Sequence, residues 1–136
     1  MQKQVEARIH AFFEAGKNKD FGSLLSMYDT ELYTKFDENP PYKRQDAKDA
    51  FVYDQATFSN ISDMVYKINE LKIDVIDRVA IATFYLSYEG IVVNDYSFEG
   101  SKIMSESRVT MVLIKREDDW KIAHAHFSKI PEVKRQ

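Results

Sequence analysis

Val5, Ile9, Phe12 and Phe13 recur at helical spacing with charge between them, which predicts an amphipathic helix over Lys3 to Lys17. Gly16 and Asn18 suit its end. Asp20 is placed to cap a short second helix, whose Phe21, Leu24, Leu25 and Tyr28 form one stripe. Glu31 to Phe36 alternates weakly, as a short strand does, and Asp37 to Arg44, with Pro40 and Pro41, reads as loop. Asp46 caps a predicted third helix running to about Phe58, with Ala47, Ala50, Phe51 and Asp54 along one side.

The period then changes to two. Met64, Tyr66 and Ile68 alternate on even numbers and Leu71, Ile73 and Val75 on odd ones, so a bulge or bend is expected near Asn69 and Glu70. Three further strands follow, Val79 to Val93, Ser101 to Arg116 and Trp120 to Ser128. Turns separate them at Asp77-Arg78, from Asn94-Asp95 through Gly100, and at Glu117 to Asp119. Helices followed by consecutive strands predict an α+β fold: a curved, mostly antiparallel sheet with three N-terminal helices on its concave face. A sheet bent over helices makes a cone, and a cone encloses a pocket.

The 136 residues fit one domain, 1–136. Lys plus Arg number 19 against 22 Asp plus Glu, a net charge of -3, which gives no basic surplus for a nucleic-acid or anionic-membrane partner. There is no cysteine, which excludes disulfides, thiolate metal sites and cysteine nucleophiles. The polar N-terminus lacks a secretory core and no apolar run reaches membrane-span length, so a cytoplasmic protein is expected. Nucleotide-binding and serine-hydrolase motifs (G-x-G-x-x-G, the P-loop, G-x-S-x-G) do not occur.

The terminal hairpin carries the most specific pattern: Ser107-Arg108-Val109-Thr110, an acidic turn, then Trp120-Lys121-Ile122-Ala123-His124-Ala125-His126-Phe127-Ser128. It resembles the signature of the SnoaL-like branch of the nuclear transport factor 2-like (cystatin-like cone) superfamily. It is similar too to the association domain of calcium/calmodulin-dependent protein kinase II, whose N-x-D-F step is echoed by Asn18-Lys19-Asp20-Phe21. The superfamily hosts enzymes, carriers and assembly modules, so the resemblance implies a fold more firmly than an activity.

Arg108 alternates with Thr110, Val112 and Ile114, opposite Val109, Met111 and Leu113. Both faces are largely apolar, which implies that helices cover one and a partner subunit the other. Two roles stand open for Arg108: a structural ion pair with Glu106 or a helix carboxylate, or an anion-binding group in the pocket. The resemblance favours the pocket, since the kinase domain's equivalent arginine lies in its cavity. The resemblance also points Phe127 and Tyr85 into the cavity, at positions that are arginine in that domain, with Thr83 and Ser87 flanking Tyr85. Aromatic residues there imply a more apolar ligand. Tyr28, Tyr53 and Tyr85 are candidates to add hydroxyls at the rim.

His124 and His126 are expected to share a strand face with Trp120 and Ile122, beside a dimer interface or on the cavity floor. Their spacing suits a metal, but His10 is the only other histidine and no carboxylate is spaced to help, so no metal site is expected. Ketosteroid isomerase, in the same superfamily, works with an aspartate base, a tyrosine and a protonated aspartate. The corresponding positions fall near Phe12, Phe36 and Thr110, which cannot do that chemistry, and Asp37 is expected to point to the opposite side of its strand. Asp54 and Glu106 remain as acidic candidates, Glu106 being a poor base beside Arg108. The expectation is a homodimer without cofactor. It binds a small, mostly apolar ligand bearing a polar or anionic group through Arg108, Tyr85, Phe127, Tyr28, Tyr53, His126 and Glu106, with or without isomerase- or cyclase-type activity. The alternative is an assembly module with a vestigial pocket.

Overall fold

The apolar stripe of the first helix meets the apolar face of a bent sheet, and that contact organises the rest. The computed structural model describes residues 1–93 and 99–131. Helix α1 (Gln2–Lys17) buries Val5, Ile9, Phe12 and Phe13, α2 (Phe21–Ser26) buries Leu24, and α3 (Ala47–Asn60) buries Ala50, Asp54 and Phe58. Both expected caps form: the Ser23 N–H donates to Asp20 and the Asp49 N–H to Asp46, at 3.3 and 2.9 Å. Each such cap satisfies an N–H that the first helical turn would otherwise leave unpaired. Lys19 adds a cap that the sequence pattern did not suggest. Its Nζ donates to the carbonyls of Phe58 and Ile61, at 2.6 and 2.8 Å, and so closes the C-terminal end of α3.

Six strands make one sheet in the order β2-β1-β6-β5-β4-β3. They are β1 (Thr34–Phe36), β2 (Gln45–Asp46), β3 (Ser62–Ile76), β4 (Val79–Val93), β5 (Gly100–Arg116) and β6 (Asp119–Lys129). Every neighbouring pair is antiparallel except β1 with β6. Ala80, Ala82, Phe84 and Leu86 on β4 and Val109, Met111 and Leu113 on β5 are buried, and form the inner face with the helices. Val79, Ile81 and Tyr85 emerge on the outer face. The weak alternation of Glu31 to Phe36 condenses to three strand residues, and the two-residue β2 follows the proline loop. The turn expected at Asn94-Asp95 lies outside the described residues.

The parity switch in β3 is present. Register shifts between Asn69 and Lys72, Glu70 has φ 53°, and Tyr66 and Ile68 before it, like Leu71, Ile73 and Val75 after it, pack on the core. A second irregularity corrects the reading of β6. Leu113 pairs with Ile122 but Val112 pairs with His124, so Ala123 is an inserted bulge residue. Trp120 and Ile122 point inward before it and Ala125 after it, whereas His124 and His126 turn outward. The histidines therefore do not share a face with Trp120 and Ile122. Among the described residues no helix is long and apolar enough to cross a membrane.

Candidate functional site

The chemistry of the interior begins on β1. Thr34 and Phe36 face out, while Lys35 between them points in and is only 5% exposed. A buried ammonium needs an anion. Asp54, equally buried on α3, supplies it by accepting from Lys35 Nζ, and accepts the Tyr28 hydroxyl as well. Asp37 brings a second carboxylate to 3.8 Å from the ammonium, and the Phe127 ring lies 4.8 Å beneath it as a cation–π partner. Tyr33 stacks on Tyr28 with ring centroids 4.2 Å apart. Next along the chain, Glu38 holds both carboxylate oxygens within 2.8 and 2.9 Å of Ser107 Oγ, which donates to it from the inner face of β5.

These contacts set the protonation states. Burial alone would lower the pKa of Lys35, but the charges of Asp54 and Asp37 outweigh it and the net shift is upward, so the group stays an ammonium. Burial raises Glu38 above the usual carboxylate range; the Ser107 hydrogen bond opposes that shift and the charge of Asp37 reinforces it. Burial, then the charge of Asp54, pushes the Tyr28 phenol far up, so it remains a donor.

These groups meet a pocket of about 50 Å³. Lys35, Asp37, Glu38 and Asp54 form its polar side, and aromatic walls come from Phe12, Phe13, Phe58, Tyr88 and Phe127. A buried water needs about 10–15 Å³ on this measure, so the space takes a few waters or a fragment of similar bulk. Phe12 packs edge-on against Phe13 and Phe58, with centroids 5.2 and 6.5 Å apart, and these rings occupy much of the cone. A larger open trough of about 650 Å³ crosses the far end of the sheet beside Val65, Glu89, Met104 and Glu106. None of these side chains is buried, so the trough lacks the desolvated charges of the inner pocket.

Several expected site residues fall elsewhere. Arg108 is exposed on the outer face, where Nε donates to Ser128 Oγ at 3.2 Å. Among the described residues it makes no ion pair with Glu106 and does not enter the cone. Tyr85, paired with it across β4 and β5, and Glu106 also lie on the outer face. The reason is the pleat: Val109, Met111 and Leu113 take the inner positions and leave Arg108 the outer ones. Tyr53 is exposed on α3. Tyr28 is interior rather than at the rim. His126 sits outside against Phe36, while Phe127 does line the pocket. Asp37, expected to point away, turns into the same pocket because β1 ends at Phe36 and the chain leaves the pleat there.

Lys35, Glu38 and Ser107 were absent from the expected site. In a stretch reading Thr34-Lys35-Phe36, apolar-inward logic puts Phe36 inside and Lys35 outside, and the fold does the reverse. A lysine flanked by two such residues and followed at once by Asp37-Glu38 was the available signal.

The sequence matches the SnoaL-like domain family over residues 5–132, and the chain belongs to that family. An NTF2-like family protein from Streptomyces avermitilis superposes with a TM-score of 0.80 at 18% identity, covering 94% of this chain and 95% of the other. A ketosteroid isomerase-like protein from Erwinia carotovora atroseptica gives 0.72 at 19% identity over 96% of each chain. The CamKII hub homology domain of Chlamydomonas reinhardtii gives 0.76 at 15% identity, covering 96% and 98%. At these identities the likeness is one of fold. No curated protein sequence matches the chain.

Proposed function

We propose that this SnoaL-like domain binds a small, mostly apolar molecule by a neutral polar oxygen, a carbonyl or hydroxyl, in the pocket beside Lys35, and that Glu38 exchanges a proton with it. The observation that carries this reading is a buried ammonium set against carboxylates at the polar wall of an otherwise aromatic pocket. Buried charge of this kind is poor value for stability, and perturbed titratable groups in a cleft point to function. Lys35 takes the role first assigned to Arg108. Asp37, Glu38 and Asp54 share its pocket, so a ligand carboxylate would meet repulsion, and an uncharged oxygen suits the site better than an anion. A carboxyl whose pKa burial has raised is suited to acid–base work, which fits isomerase- or cyclase-type proton transfer without a cofactor.

The test is a thermal-shift and NMR titration with acetone, 2-propanol and acetate, whose four heavy atoms match the bulk of a few waters. Acetone or 2-propanol is expected to bind wild type and Arg108→Ala equally and Glu38→Gln more weakly. Binding confined to carboxylates and lost in Arg108→Ala would return the site to the outer face.

A second reading concerns the outer face. Exposed Ile81, Tyr85 and Phe36, with Arg108 and Glu106 between them, suit a second copy of the chain in a homodimer. Likeness to the hub homology domain supports self-association and is compatible with the ligand reading.

A further inference from the structure

The strand that carries Lys35 is held from the opposite side of the sheet by two histidines. Thr34, Lys35 and Phe36 pair in parallel with His124, Ala125 and His126. His124 Nδ1 lies 2.8 Å from Thr34 Oγ1, and the Phe36 ring packs on His124 and His126 with centroids 5.9 and 5.4 Å away. β1 has only three residues and gains just two pairs from β2, so the outer side-chain contacts bear on where it sits. Immediately after Phe36, Asp37 and Glu38 enter the pocket.

We propose that His124 is a positioning residue for the pocket: its contact with Thr34 sets the seat of β1 and so the placement of Glu38, and its protonation is felt at Glu38 across the sheet. This rests on Glu38 belonging to the functional site. The side chains facing His124 are Thr34 and Phe36 from β1, Thr110 and Val112 from β5, and His126 on its own strand. The nearest charges on that face are Arg108 beyond Thr110, Lys121 held by Ser26 O and Asp119, and Asp46 opposite Thr34, which caps α3. Burial lowers the His124 pKa below 6.5; its contact with Thr34 opposes this and the His126 charge adds to it. The folded arrangement therefore favours the neutral ring. Its contribution is complete above about pH 6.5 and is lost as pH falls below that value.

The test is a ¹³C-carboxyl titration of Glu38 in the full chain, with no ligand added, in wild type, His124→Asn and His124→Ala. Wild type is expected to show Glu38's own inflection and a second one below pH 6.5. His124→Asn still offers Thr34 a hydrogen bond but cannot titrate, and should lose the second inflection while keeping the first. His124→Ala should move the Glu38 inflection down as water reaches it. Superimposable Glu38 curves in wild type and His124→Asn overturn the proposal even if the alanine variant fails to fold. Because no ligand is present, failure of acetone to bind would count against the ligand reading and leave this result standing.

Discussion

Lys35 and Asp54 hold each other in place at a depth where neither could stand alone. Asp54→Ala leaves a buried ammonium with Asp37 at 3.8 Å as its nearest remaining carboxylate, and should cost about 3–5 kcal/mol in urea unfolding. Glu38 works in the opposite sense. Its folded pKa is raised above 4.5, so the folded state holds its proton more tightly than the unfolded chain, and stability falls as pH rises through that window. Glu38→Gln should therefore raise the melting temperature at neutral pH and leave it nearly unchanged well below pH 4.5, which a thermal melt at each pH checks. A site residue whose removal stabilises the protein is the signature of strain kept for function. Single-residue chemistry was the least legible part of the sequence. Lys35, Glu38 and Ser107 become a unit only when β1 is laid beside α3 and β5, and no local spacing encodes that meeting. Arg108 is conspicuous as an arginine among apolar residues, yet its pleat position sends it outward.

The helices, their aspartate caps and the β3 parity switch could be read from local pattern, because each is dictated by side chains a few residues apart. The β6 bulge could not. Ala123 looks like any other residue in an alternating strand, and its insertion is visible only against the register of β5. That one extra residue decides that His124 and His126 touch β1 from outside. Packing between elements is equally close where α1 meets α3. A Cβ added at Gly16 would lie 2.4 Å from the Phe58 ring, and that ring is also a wall of the pocket. Gly16→Ala is expected to cost about 1–3 kcal/mol by overpacking, and to weaken ligand binding by more than its effect on folding explains. Comparing denaturation midpoints with ligand affinity separates the two.

The whole molecule presents two faces of different character. The inner face joins helices and sheet into a core with a small polar pocket; the outer face exposes Ile81, Tyr85 and Phe36 among threonines and histidines. If a second copy covers that outer face, Tyr85→Lys should drive the chain to monomer in sedimentation analysis without lowering its melting point much, since Tyr85 is 43% exposed in the single chain. An unchanged mass would place self-association elsewhere. The fold class was legible from the order of helical and strand periods, and the hairpin pattern pointed to the right family. Which face of the sheet the candidate site lies on was not, because both faces of β4 and β5 are apolar enough to be covered.

The most direct measurement uses two methionines as reporters. Met64 lines the inner pocket and Met104 is exposed at the far end of the sheet, so ¹³C-methyl labelling separates the two locations in one titration. Acetone should shift the Met64 methyl in a saturable way and leave Met104 still, with the Met64 response diminished in Glu38→Gln. Saturable shifts at Met104 with Met64 unmoved would contradict a functional pocket built around Lys35 and Glu38.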